Sequence, residues 1–199
     1  DVEVRIRPFL RAEGRCALST VRDITERKRA DAVVERRLFE LQFLNEIGSV
    51  CNAAGTLDEA IAGVTRLTVE KLFPDNCGIL LFDAERKHLV PHDSFVVSDP
   101  NVVPRPLPVE CGIIGRTIRS GCSQRVSNVA VDLDYFGSDA RTQSELCVPI
   151  AGDEGVIGAI NIESSALDVF SEADERLLTA VADLIGGALR RLRREAELR

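Results

Sequence analysis

The stretch RTQSELCVPIAGDEGVIGAINIES, Arg141–Ser164, decides the fold. In its first half Leu146, Val148 and Ile150 alternate with Glu145, Cys147 and Pro149, the period of a strand. Its second half, from Val156, is nearly continuously apolar and closes on Asn161, Ile162 and Glu163. Gly152-Asp153-Glu154-Gly155 between them supplies the dihedral freedom of a hairpin turn. A strand apolar on both faces needs cover on both, so helices are expected above and below this sheet.

Working towards the C-terminus, Ser171 and Asp174 set up a capping box for a last helix. Leu178, Val181, Ile185, Ala188 and Leu192 then step by three and four in a heptad seam, widened by Leu177 and Leu184. Working back, Asn128–Gln143 is polar and loop-like, and Gln124–Val126 is a short strand. Cys111–Gly121 reads as a short helix with Gly121 as its C-cap. Ser98–Glu110 carries Pro100, Pro104, Pro106 and Pro108 and therefore reads as a loop. Cys77–Phe82 is an apolar strand, and Lys87–Val97 gives one or two more around Pro91. Thr56-Leu57-Asp58-Glu59 is a capping box opening a helix to about Lys71, with Ala60, Ile61, Val64, Leu67 and Thr68 as its buried face.

Further upstream, Val34, Leu38, Leu41, Leu44, Ile47 and Cys51 form one apolar stripe on a helix that Asp23 or Thr25 can cap. At about 1.5 Å per residue it is about 40 Å long, more than a small domain covers. Its first half is therefore expected to pack on a second copy. Residues 1–22 read as two strands that cannot enclose a core alone.

The 199 residues carry a net charge of −7, with 45% apolar and 29% charged residues, which suits a soluble globular chain. The acidic balance argues against a nucleic-acid surface. The Arg27–Arg29, Arg36–Arg37 and Arg190–Arg194 clusters fall on predicted helices and read as solvated faces. No apolar run approaches membrane-spanning length, and the charged, alternating start is unlike a signal peptide. The absence of Met fits a piece excised from a longer protein. The six cysteines make no CxxC or Cys/His cluster, so reduced thiols and a cytoplasmic location are expected.

The order helix, helix, strands, Pro-rich loop, short helix, hairpin, long helix carries the words GIIGRTIRSG, SELCVPI, GVIGAINIES and FSEADERLLTAVADLIGGAL. In this it resembles a GAF domain over residues 46–190. Residues 1–23 resemble the last strands of a PAS domain, and DITERKRAD resembles the helix that follows PAS domains in sensor histidine kinases and cyclic-di-nucleotide enzymes. The resemblance implies an α+β fold, an α/β sandwich: an antiparallel sheet of five or six strands with helices on both faces, plus long N- and C-terminal helices. It implies a PAS-like remnant at 1–23, a signalling helix at 24–45, the GAF domain at 46–190 and an exit helix at 191–199. The implied role is a regulatory sensory and dimerising module. It would relay small-molecule or redox state through parallel helices of a homodimer to a downstream kinase or cyclase domain, foremost a histidine kinase.

The candidate pocket residues are Phe95, Cys111, Ile113, Tyr135, Phe136, Arg141, Ser144 and Glu145. The aromatic and apolar members would form walls, and Arg141, Ser144 and Glu145 would supply polar contacts. No residue pattern identifies the ligand or a cofactor, and no catalytic or metal-ligating set is expected. Cyclic-nucleotide-binding GAF domains carry Asn-Lys followed by Phe, three residues and Asp-Glu. Here Asn161, Phe170, Asp174 and Glu175 match, but Ile162 stands where the Lys belongs. A buried phosphate would lack its cation. Free methionine-sulfoxide reductases are GAF-like thiol enzymes. Cys111 and Cys122 lie near the right region, yet the loop before SEL has no Cys. Both remain as alternative readings. Bilin attachment needs a Cys followed by His, and none is. His88 and His92 read as surface or satisfied histidines.

Overall fold

The computed structural model describes residues 1–11, 14–72, 75–137, 139–153 and 155–197. It divides into two units, Asp1–Phe43 and Leu44–Arg199. The first holds strands β1 (Val2–Arg11) and β2 (Gly14–Asp23), paired antiparallel from Val2↔Asp23 to Arg11↔Gly14. Residues 12 and 13 between these strands lie outside the described residues. Val2, Val4, Ile6 and Val21 on this ribbon are exposed.

Helix α1 (Thr25–Ala53) follows, its start capped where Thr25 N–H donates to Asp23 Oδ1 at 2.8 Å. The apolar stripe is helical as expected, but Val34, Leu38 and Leu41 are exposed, and along the stripe burial begins at Ile47 and Cys51.

In the second unit, α2 (Leu57–Lys71) begins where the Thr56 hydroxyl accepts from Glu59 N–H at 3.2 Å. The Glu59 carboxylate in turn accepts from Gly55 N–H at 2.8 Å, one residue earlier than in the usual capping box. Thr65 belongs to the buried face, and Leu67 is only half-buried. The sheet comprises β3 (Asn76–Phe82), β4 (His88–Pro91), β5 (Leu107–Pro108), β6 (Gln124–Val126), β7 (Ser144–Gly152) and β8 (Gly155–Ser164). All pairings are antiparallel, in the order β5-β4-β3-β8-β7-β6, so the hairpin lies at the centre. Gly155 takes φ 111°, a conformation open to glycine, and closes the turn opposite Gly152. The fold is mixed α+β with a six-stranded antiparallel sheet, as the sequence predicts.

Alternation along the strands divides the core. Leu146, Val148 and Ile150 of β7, with Ile160 and Ile162 of β8, are buried on the face covered by α2 and α4 (Glu172–Glu197). Each fully buried Leu or Ile contributes about 1.5–3 kcal/mol. α4 brings Leu178, Val181, Ala182 and Ile185 to this layer. It lies close against β7 at Gly186, where any Cβ would stand 2.3 Å from the Ala151 carbonyl oxygen. The helix beside α4 on this face is α2. The end of α1 packs on α2 at Gly63, and Arg191 ties it to α4. The Arg191 guanidinium donates to the carbonyls of Cys51 at 3.0 Å and Ala54 at 2.9 Å. This member of the arginine cluster thus satisfies helix-end carbonyls.

Helix α3 (Gly112–Ser120) lies over the other face, with Gly121 as its left-handed C-cap at φ 64°. Ile113, Ile114, Leu80, Leu89, Val129, Cys147 and Ala159 form a second buried cluster there.

Candidate functional site

On the α3 side, the register aligns the positions that alternate with the helix-covered core. Glu145 of β7 stands opposite Glu163 of β8, and Cys147 opposite Asn161. On the other edge of β8, Glu163 is opposite Asn76 and Asn161 opposite Gly78. Gly78 leaves room for the Phe95 ring, since a Cβ there would come within 2.2 Å of it. A cavity of about 540 Å³ opens above these residues. Its floor holds Asn76, Leu80, Glu145, Asn161 and Glu163, and its walls hold Phe95, Ile113, Ile114, Phe136 and Gly137. The Pro-rich segment from Asn101 to Pro108 forms a third side. That volume suits a small molecule.

The floor is rich in acceptors. Glu163 accepts from Asn161 Nδ2 at 3.1 Å, Asn76 Nδ2 at 3.0 Å and the Thr142 hydroxyl at 2.7 Å. Its acceptor sites are largely used. Glu145 is 3% exposed, and among the described residues no group hydrogen-bonds its carboxyl. Asn161 is 1% exposed, and its Oδ1 has no donor. Burial drives the Glu145 pKa well above the usual carboxylate range. The neighbouring charges of Glu163 and Asp132 push the same way, and Arg116 opposes them.

Arg116 is largely committed elsewhere. Its guanidinium donates to Asp132 Oδ2 at 2.7 Å, Asp134 Oδ2 at 2.8 Å and Gln124 Oε1 at 3.0 Å. The clamp fixes the loop that carries Tyr135 and Phe136 to α3. Arg141 donates to Asp139 at 2.9 and 3.1 Å and to the Ser98 hydroxyl at 3.1 Å. Its guanidinium holds the Asp139 carboxyl down to about 2, with Asn76 adding a weaker hydrogen bond.

Of the residues singled out from sequence, Phe95, Ile113, Phe136 and Glu145 line the cavity together. Cys111, Tyr135, Arg141 and Ser144 lie outside its lining. Cys111 is half-buried at the N-cap of α3 and makes no capping hydrogen bond with its side chain. The Tyr135 hydroxyl is buried against Gly137 without a hydrogen bond of normal geometry. Burial and the acids Glu163, Glu145 and Asp139 raise its pKa to about 12, against a lowering by Thr142. Ser144 donates to the Ala166 carbonyl at 2.7 Å. Asn76, Asn161 and Glu163 join the floor without having been singled out for it. Their signal was three polar residues at strand positions, readable as one site only once the β3–β8 register is known.

The thiols Cys77 and Cys147 are buried, which pushes both far up: Cys77 to about 12, and Cys147 higher still with Glu145 adding to the effect. Cys122 is exposed. His92 meets Asp58 at 3.1 Å and Ser94 at 2.9 Å, and His88 meets Asp83 at 3.0 Å. The residues matching the cyclic-nucleotide pattern have structural occupations. Asn161 Nδ2 donates to Glu163, Phe170 is buried, and Ser171 and Asp174 form the N-terminal box of α4. No helix among the described residues is long and apolar enough to cross a membrane.

Comparison with known proteins places this geometry in a family. Protein YtsP of Bacillus subtilis (strain 168) is 31% identical over 83 residues, 42% of this chain and 51% of that protein. Free methionine-R-sulfoxide reductase of Escherichia coli (strain K12) is 29% identical over 70 residues, 35% of this chain and 42% of the enzyme. The chain thus spans about half the length of the curated relatives it matches. Among solved structures, free methionine-R-sulfoxide reductase of Neisseria meningitidis in complex with its substrate superposes with a TM-score of 0.72. The identity is 22%, covering 78% of this chain and 91% of that one, a likeness of fold. The model of the GAF domain matches residues 54–190, well over half of the sequence, and the chain belongs to the GAF domain family.

Proposed function

We propose that this GAF domain is a small-molecule-binding regulatory module, and that its cavity takes a compound carrying a protonated amine. One observation carries the reading. The Glu145 carboxyl and Asn161 Oδ1 are buried at the cavity floor as acceptors without a hydrogen-bond donor among the described residues. A buried acceptor without a partner costs about 1–3 kcal/mol, so a ligand bringing two N–H groups recovers that cost. An ammonium brings three, together with the charge that an ionised Glu145 needs. The test is a thermal-shift panel of small amines matched with their deaminated analogues, with native mass spectrometry of protein purified from cells. Stabilising compounds should carry the amine and lose their effect in Glu145→Gln. Hits that are neutral or anionic, or no hits at all, contradict the reading.

The regulatory role follows from what lies beneath the floor. α4 rests on the reverse side of β7, so a ligand that shifts the hairpin biases α4. Arg191 passes that bias to the end of α1. In the full reading, a cytoplasmic homodimer aligned through its N- and C-terminal helices hands this population shift to an output domain, foremost a histidine kinase. Deleting residues 1–43 should then weaken self-association strongly in ultracentrifugation. A core that dimerises equally well at micromolar concentration counts against this arrangement.

A second reading, a thiol-dependent reductase of free methionine sulfoxide, draws on the 29% identity to the Escherichia coli enzyme. Against it, no cysteine occurs between Cys122 and Cys147. Turnover of free methionine sulfoxide that is lost in Cys111→Ser would support it, and absence of turnover with a dithiol reductant would remove it.

A further inference from the structure

We infer that Arg105 selects the far end of the ligand, so that the cavity takes a zwitterion with a protonated amine at one end and an anionic group at the other. This rests on the amine reading of the floor and adds the opposite pole.

The charged residues lining the cavity are Glu145 and Glu163 on the floor and Arg105 in the Pro-rich segment. Glu145 and Glu163 stand on β7 and β8, whereas Arg105 lies just before β5, which β4 and β3 separate from β8 in the sheet. A sphere of the cavity's 540 Å³ is roughly 10 Å across, the scale of a small ligand with distinct ends. The site is built rather than merely acidic, because Asn161 Oδ1 is a fully buried acceptor left without a donor.

Arg105 is the charged side chain that the Pro-rich segment brings to the cavity. Pro104, Pro106 and Pro108 have no N–H, which removes three backbone donors from the segment. The guanidinium brings five donors in a planar fork that matches a carboxylate. Among the described residues Arg105 makes no ion pair or hydrogen bond. Arg116, Arg125 and Arg141 of the same domain are engaged with Asp132, Glu175 and Asp139 respectively. Pro104 and Pro106 also fix φ on either side of Arg105, which limits the backbone freedom lost on binding. A second cationic group at this end would be repelled, whereas a carboxylate gains a bidentate partner.

The test uses the full chain and named probes. β-Alanine, 4-aminobutyrate and 6-aminohexanoate are titrated calorimetrically beside ethylamine, propylamine and pentylamine, which have the same chains without the acid. Arg105→Gln is run in parallel. Arg105 is exposed, so the variant should melt with the wild type. The best amino acid should bind at least about tenfold tighter than its alkylamine. Arg105→Gln should reduce that ratio to near unity and leave alkylamine affinity within about twofold. Equal binding of both classes, or a ratio that survives Arg105→Gln, overturns the inference while leaving the amine site standing. Failure of every amine to bind overturns both.

Discussion

Glu145 and Glu163 stand directly opposite each other on β7 and β8, two carboxyl groups on neighbouring central strands of the sheet. Like charges so placed repel, and burial adds to the cost. Glu163 accepts from three donors, whereas Glu145 has none among the described residues, and burial raises its pKa well above the usual carboxylate range. The expected behaviour of the site follows from that asymmetry.

Glu145→Gln should separate stability from binding. The folded pKa of Glu145 is raised, so its contribution is fully present below the unfolded value and is lost as pH rises through the folded one. Wild-type stability should therefore fall as pH climbs from about 4.5, the unfolded carboxyl value, towards neutrality. The amide does not ionise, and at pH 7 the variant should be equal to or about 1 kcal/mol more stable than the wild type. Urea unfolding from pH 4 to pH 8 reads both.

Asp139→Asn should behave in the opposite sense. The native pKa of Asp139 is held down to about 2, chiefly by Arg141. Its contribution is present above the unfolded value and lost as pH falls through about 2. The variant should lose about 1–2 kcal/mol at pH 7, and the deficit should shrink in acid. A deficit independent of pH would mean that packing, not charge, is what the substitution removes.

Gly78→Ala should displace the Phe95 ring that closes one wall. The added Cβ would meet the ring at 2.2 Å, an overpacking worth about 1–3 kcal/mol. Chemical denaturation of Gly78→Ala, Phe95→Leu and the double variant should show non-additivity, with the second change recovering part of the loss.

Arg191→Ala should free the carbonyls of Cys51 and Ala54. The expected cost is about 1–3 kcal/mol, with faster amide exchange in the last turn of α1. Unchanged exchange there would remove Arg191 as the tie between α4 and α1.

The hairpin was legible because two short-range signals agree. Leu146, Val148 and Ile150 alternate, and two glycines bracket the turn. The caps at Thr56, Ser171 and Gly121 were equally local. The floor of the cavity was harder to read. Asn76 lies 87 residues from Glu163, and only the β3–β8 register places them together. The prolines marked Ser98–Glu110 as loop, yet Leu107–Pro108 pair with β4 as strand β5, and nothing in the prolines says where the segment folds back, so Arg105 was invisible as a lining residue. Arg191 looked like one charge in a run, since the carbonyls it satisfies lie about 140 residues earlier. On α1 the periodicity runs unbroken through Leu38 and Leu41, yet periodicity alone does not say which turns are covered.

The most direct measurement is the number of protons exchanged when an amine binds. Titrations at pH 6 in two buffers of different ionisation enthalpy count them. An alkylamine is already protonated at that pH, so whatever fraction of Glu145 is protonated must ionise to receive it. Wild-type protein should release up to one proton per amine bound, and Glu145→Gln should release none and bind at least tenfold more weakly. Binding without proton release, or undiminished binding by Glu145→Gln, would contradict Glu145 as the group that receives the ligand.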